Sequence, residues 1–255
     1  MHLWKLLPLA GWAMSLTPSL QPRAEKPVIV ISPGAWQLTD AWVPFSDQLH
    51  AAGIENYIVP HQSVGGSRDQ GLLNDTETLQ AALRSLSAQG KEIVLLGHSY
   101  GGAVISGATE GFDVATRRAR GAAGGVLLTA FLAAFVLPPD RGVLDLLGGN
   151  LLPWMILEYY SELMTWSSLL AFQEPNLYAP WEHNIPAVYI HTSEDNALPL
   201  AQQQAMAGTL AAATRLSQIT LATGHCPWIS QPAETIEALE EILTIAESYS
   251  AELRG

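Results

Sequence analysis

The chain is short of charge, of basic residues and of cysteine. Only 14% of its 255 residues are charged, and 12 Lys and Arg face 24 Asp and Glu, a formal net charge of -12. A field of that sign repels phosphate backbones and anionic bilayers, so no nucleic acid is expected as a partner. The single cysteine, Cys226, excludes an intrachain disulfide, and cysteine usage therefore leaves the redox compartment unspecified. No block of like charge, internal repeat, low-complexity tract or linker divides the chain, which points to one domain. No histidine pair has helix-face or finger spacing, so no metal site is expected.

Apolar material is plentiful. Hydrophobic residues make up 48% of the chain, enough for one large core. Residues 1–26, MHLWKLLPLAGWAMSLTPSLQPRAEK, run from Lys5 through an apolar stretch to small residues where a peptidase could cut. They read as a signal peptide of a secreted protein, or as a flexible leader of a cytoplasmic one. The folded domain is then 27–255. The uncharged run GAAGGVLLTAFLAAFVLPP at 121–139 passes the length threshold of roughly 18 residues for a membrane helix. Three glycines and a Pro-Pro pair bracket it, however, so it is read as a buried strand and no membrane span is expected.

Short Val/Ile/Leu-rich runs at 26–32, 55–60, 91–97, 124–130, 185–191 and 216–222 read as strands buried on both faces. Helical patterns lie between them. One opens at Asn74 with Glu77 in capping-box spacing, carries Leu79, Leu83 and Leu86 on one face and stops at Gly90; another carries Ile236, Leu239, Leu243 and Ala246. The alternation predicts a doubly wound α/β fold, a mostly parallel sheet of about six strands with helices on both faces. Ligands of such sheets bind at the carboxyl ends of the strands. Residues 138–180 break the rhythm and carry Trp154, Tyr159, Tyr160, Trp166, Phe172 and Tyr178. They are expected to form a short helical cap over that edge, its aromatic side chains facing a ligand pocket or packing the cap down.

The segment Gly97-His98-Ser99-Tyr100-Gly101 follows the run EIVLL and precedes a helix-compatible run. In that context G-x-S-x-G builds a sharp strand-to-helix turn that lifts the serine hydroxyl to the top of the sheet, and its glycines admit the neighbouring backbone. A serine there needs a base. His225 stands just after the last predicted strand, on the same edge, whereas His98 points away from its neighbour, His191 ends a strand, and His50, His61 and His183 suit solvated or capping roles. The base in turn needs a carboxylate. Glu194 and Asp195 both follow a strand end; Asp195, ahead of a polar turn, is favoured. Backbone N–H groups for an oxyanion are expected from Tyr100 and, in SPGAWQ after the first strand, from Ala35, with Trp36 second. Trp36, Trp154, Tyr159 and Trp228 are the candidate substrate contacts.

Together PGAW, GHSYGG, SEDNALP and GHCPWISQPAE make the chain resemble the α/β-hydrolase superfamily, in particular the compact methylesterase and hydroxynitrile-lyase group and its microbial relatives, over residues 26 to 248. The resemblance implies Ser99 as nucleophile, Asp195 as acid, His225 as base, and Ala35 and Tyr100 at the oxyanion hole. Pro33-Gly34 stands where methylesterase-like members have His-Gly, which argues against a plant-like substrate preference. The expectation is a cofactor-free serine hydrolase of a small apolar carboxylic ester, thioester or lactone. The alternatives are a lyase, aldol or cyclisation step in secondary metabolism on the same fold, and a binding protein that keeps the pocket.

Overall fold

A computed structural model describes residues 26–152, 155 and 164–255. Six strands form one sheet: β1 (Val28–Ser32), β2 (Asn56–Ile58), β3 (Glu92–His98), β4 (Gly125–Leu132), β5 (Ala187–Thr192) and β6 (Leu216–Leu221). Their order is β2-β1-β3-β4-β5-β6 and every pairing is parallel. Each strand falls within, or one to two residues beyond, an apolar run expected to form it. The run at 121–139 contains β4, all eight residues of which are buried. No helix among the described residues is long and apolar enough to cross a membrane.

Alternate strand residues feed two cores. Val28, Val30, Ile93, Leu95 and Tyr189 pack against Leu79, Leu83 and Leu86 of α2 (Leu72–Ala88), against α3 (Gly101–Ala108) and against Met206 and Leu210 of α7 (Leu200–Ala211). Ile29, Ile31, Val94, Leu96, Val188 and Ile190 pack on the other face, against Phe45 and Leu49 of α1 (Val43–Ala51), Val114 of α4 (Val114–Ala119) and Leu239, Ile242 and Leu243 of α9 (Pro232–Glu252). Each such Leu or Ile contributes roughly 1.5–3 kcal/mol by burial. In β4 the pairing steps from Ile93↔Val126 to Val94↔Leu128, so Leu127 is an inserted residue. The bulge turns Leu128, Ala130 and Leu132 to the face of Val94 and Leu96.

Helix α2 starts at Leu72, two residues before the expected Asn74. Asn74 instead sits inside the first turn, where its Oδ1 accepts the N–H of Gly71 at 3.0 Å. The expected Asn74–Glu77 box does not form: Gly71 is the boundary residue, and the side chain that caps it belongs to the third helical residue, Asn74. Among the described residues the expected cap region contains two one-turn helices, α5 (Val143–Leu146) and α6 (Leu170–Gln173), and between them an extended strap at 164–168. Met164 bridges antiparallel to Gln37, and Ser167 to Val64.

Candidate active site

Ser99 stands between β3 and α3 with φ +52°, a left-handed conformation for a residue with a side chain. Backbone bonds hold it there: its N–H donates to Leu132 O at 3.2 Å, and its carbonyl accepts from Gly102 N–H at 3.1 Å and Phe135 N–H at 3.0 Å. Such a conformation costs of order 1–3 kcal/mol and persists only where the surroundings over-determine it. Among the described residues five non-glycines have positive φ, and Trp36, Ser99 and Ala133 all follow carboxyl ends of strands in this part of the sheet. Strain is thus concentrated at one edge.

The glycines of the turn are steric necessities. A Cβ at Gly97 would lie 2.6 Å from Gly101 O, and one at Gly101 would lie 2.2 Å from Ser32 O. The second contact also shows how closely the loop after β1 approaches the start of α3. That loop carries Ala35, and among the described residues the backbone N–H groups of Ala35 and of Tyr100 have no acceptor. Trp36 does not share this property: its N–H donates to Ser167 Oγ at 2.7 Å.

Asp195 and His225 meet, with His225 Nδ1 2.7 Å from Asp195 Oδ2. The same oxygen accepts from the Thr192 hydroxyl at 2.9 Å, and Oδ1 accepts from the N–H groups of Ala197 and Leu198, both at 2.8 Å. Burial pushes this carboxyl pKa up, but the hydrogen bond and charge of His225, the Leu198 N–H and the Thr192 hydroxyl outweigh burial and hold it below the ordinary carboxylate value. Glu194, one residue earlier, is exposed.

His98 sets the position of the histidine loop, a role absent from the sequence reading. Its Nε2 is 2.9 Å from the carbonyl of His225; a carbonyl only accepts, so that nitrogen carries the proton. The contact brings the His225 loop to the end of β3, one residue from Ser99. Burial and the proximity of His225 hold the His98 pKa well below the ordinary histidine value, although the carbonyl opposes them. Gln37 adds a second tie: its Oε1 accepts from Gly34 N–H at 2.8 Å and its amide reaches Cys226 Sγ at 3.7 Å. The Cys226 thiol, raised to about 12 by burial and by Asp195, stays protonated.

The aromatic candidates separate. Trp36 stacks on Phe172 of the cap, with ring centroids 5.3 Å apart, and Phe172 leans on Tyr100 at 5.7 Å. Tyr100 and Phe172 are buried in the core, and Trp36 is half-buried against it, next to Ala35. Trp228, expected to contact substrate, is buried in the α1/α9 core, stacked on Trp42 at 3.7 Å and edge-on to His98. Pro227 begins the one-turn helix α8 (Pro227–Ser230) and turns the indole inward. In the cap, Trp166 lies under the Arg68 guanidinium and Tyr178 stacks on His183. Trp154, Tyr159 and Tyr160 lie outside the described residues. Two other histidines are also anchored: His61, expected to be solvated or capping, is buried against Ser32, and His191 bonds Gln218. Among the described residues no three His, Cys, Asp or Glu side chains group as metal ligands.

Residues 28–238 match the family model described as alpha/beta hydrolase family. The alpha/beta hydrolase nvfD of Aspergillus novofumigatus is 24% identical over 236 residues, covering 81% of this chain and 92% of its own. A pyrethroid hydrolase from Sphingobium faniae JZ-2 superposes with TM-score 0.61 at 18% identity, over 86% of this chain and 97% of its own. The methylesterase MES16 from Arabidopsis does so with TM-score 0.65 at 19% identity, over 86% and 99%. With the six-stranded parallel sheet and the strained serine turn at its carboxyl edge, the match across most of the sequence means that this chain belongs to the alpha/beta hydrolase family and is a hydrolase.

Proposed function

We propose that the chain is a serine esterase that cleaves a small, largely apolar carboxylic ester, thioester or lactone through an acyl-enzyme. The observation that carries this reading is the 2.7 Å contact between Asp195 and His225 at the sheet edge where Ser99 is held in a left-handed turn. A carboxylate accepting from Nδ1–H leaves the Nε2 lone pair of His225 free to act as base. His225 takes the proton of Ser99 as Oγ attacks the carbonyl carbon, and the tetrahedral oxyanion accepts from the N–H groups of Ala35 and Tyr100. The intermediate collapses, His225 gives its proton to the departing alcohol, and a water activated by the same imidazole releases the acid and restores Ser99. Each oxyanion donor contributes about 10²–10³-fold in kcat. The half-buried Trp36 indole, which adjoins Ala35, favours an apolar group next to the reacting carbonyl, and the methylesterase among the proteins of similar fold is in keeping with an ester.

The test is turnover of a short-chain nitrophenyl ester and of a panel of lactones, with solvent oxygen labelled. Ser99→Ala is expected to lower kcat by about 10³-fold or more, and the acid product is expected to carry one solvent oxygen. Turnover that survives in Ser99→Ala contradicts the mechanism. A product free of solvent oxygen assigns the site to lyase or cyclase chemistry instead.

A further inference from the structure

Tyr100 is the residue next to the serine, and both of its ends are occupied by distinct tasks. Its backbone N–H has no acceptor among the described residues, while its buried phenol donates to Asp75 Oδ2 at 2.7 Å. Asp75 lies in α2, 25 residues earlier, and is wholly buried. Its other partners are the backbone N–H of Ser63 at 3.0 Å to Oδ1 and the Ser63 hydroxyl at 2.5 Å to Oδ2. Among the described residues no Lys or Arg reaches it. A carboxylate wholly enclosed by neutral donors is an expensive way to hold a helix, since apolar packing would do so without desolvating an acid. Its hydrogen bonds are stronger and more directional than those of a neutral acceptor, which is what fixing a phenol in place requires.

We propose that Asp75 is a positioning residue for the oxyanion-binding turn. It holds the Tyr100 ring, and with it the orientation of the Tyr100 backbone N–H, and through Ser63 it joins that turn to the strap of the cap. The inference rests on the reading of Ser99 as nucleophile and of Tyr100 N–H as oxyanion donor. The second connection is continuous hydrogen bonding. Ser63 O accepts from Ser168 N–H at 2.8 Å. Three residues earlier on the same strap, Thr165 N–H donates to Trp36 O at 2.8 Å, and Ser167 Oγ accepts from Trp36 N–H. Residues 165–168 therefore bind the loop of Ala35 on one side and the Ser63–Asp75–Tyr100 chain on the other. The two N–H groups that would share the oxyanion are indexed to one another by the same four residues of the insertion. Donor placement matters at the level of tenths of an ångström, because the hydrogen bonds must fit the tetrahedral oxygen rather than the ground-state carbonyl.

The test compares Tyr100→Phe, Asp75→Asn and the double variant with the wild type in nitrophenyl ester kinetics and in inhibition by a phenylboronic acid, which forms a tetrahedral serine adduct. Each single variant is expected to lower kcat about tenfold with KM within about twofold, and to weaken boronate inhibition by about the same tenfold factor. The double variant is expected to be no worse than the worse single, since both remove one contact. Folded variants with wild-type kcat and wild-type boronate inhibition overturn the inference, as do losses confined to KM or losses that multiply in the double variant. Should Asp75→Asn fail to fold, Tyr100→Phe decides alone, because it deletes one oxygen and keeps the ring. A wild-type chain without Ser99-dependent turnover overturns the esterase reading and this inference with it; wild-type turnover beside unaffected variants overturns the inference only.

Discussion

Two serines stand at the carboxyl ends of neighbouring strands of this sheet: the first bonds a histidine, and the second adjoins His98, which holds the loop of another. Ser32 of β1 is paired in register with Gly97 of β3, and its Oγ lies 2.9 Å from Nε2 of His61. Ser99 follows β3, with His225 on the loop tied to His98. The first pair has the closer look of a nucleophile and base and yet is built for packing. Ser32 is fully buried in extended strand, so no electrophile can approach it, and His61 Nδ1 has no partner among the described residues. His225 has Asp195 on its far nitrogen and keeps 20% of its side chain exposed. A serine–histidine contact alone is thus no mark of a nucleophile and its base. Access, a strained turn and a carboxylate on the remote nitrogen set Ser99 and His225 apart from that pair and support the roles proposed for them.

Asp195→Asn sharpens the comparison most, because it leaves His225 without an anionic acceptor, as His61 is. It is expected to lower kcat by about 10³–10⁴-fold with little change in fold, measured by ester turnover beside circular dichroism. Activity within tenfold of wild type would show that the Asp195 carboxylate is not what sets His225 apart from His61. Ser32→Ala acts in the opposite sense. It is expected to leave kcat/KM within about threefold while lowering stability by about 1–3 kcal/mol in denaturant titration, since His61 Nε2 loses its partner inside the core. A large loss of turnover with stability unchanged would move the chemistry to Ser32.

The smallest expected effect is on pH dependence. Burial lowers the folded-state pKa of His61, against the pull of Asp75, and lowers that of His98 further, with His225 adding to it. The unfolded chain therefore binds protons first as pH falls below the ordinary histidine value. Stability from these two groups is complete above that value and is lost as pH drops from about 7 towards 5, by at most about 1.4 kcal/mol per pH unit for each. The contribution of Asp195, whose folded pKa is depressed, persists through that range and is lost only below the ordinary carboxylate value. Thermal unfolding from pH 7.5 to 5 checks this, and His61→Gln is expected to flatten the slope.

Local pattern made much of this legible. The central strands β1, β3, β4 and β5 announce themselves as apolar runs because both faces of the sheet are covered there. The edge strands β2 and β6, expected to be buried on both faces, expose Tyr57, Gln218 and Thr220. Of the glycines of the serine turn, Gly97 answers to Gly101 nearby, whereas Gly101 answers to Ser32 on the neighbouring strand. Strand position narrows the partner of His225 to Glu194 or Asp195 and the polar turn favours Asp195; the structure buries that aspartate and exposes the glutamate. What escaped depends on contacts far apart in sequence. Ser32 and His61 are 29 residues apart, Trp36 and Ser167 are 131 apart, and His98 and His225 are 127 apart. Trp228 misled for a related reason. Its place three residues after His225 suggests the pocket, whereas Trp42, 186 positions earlier by number (228 - 42), draws the indole into the core.

Under the proposed mechanism one hydroxyl of this chain is activated, that of Ser99. Treating the wild-type protein with a fluorophosphonate, digesting it and locating the added mass by tandem mass spectrometry tests that directly. The account predicts a single adduct on Ser99 that appears as ester turnover disappears; an adduct on Ser32 or Cys226, or full inhibition with Ser99 unmodified, contradicts it.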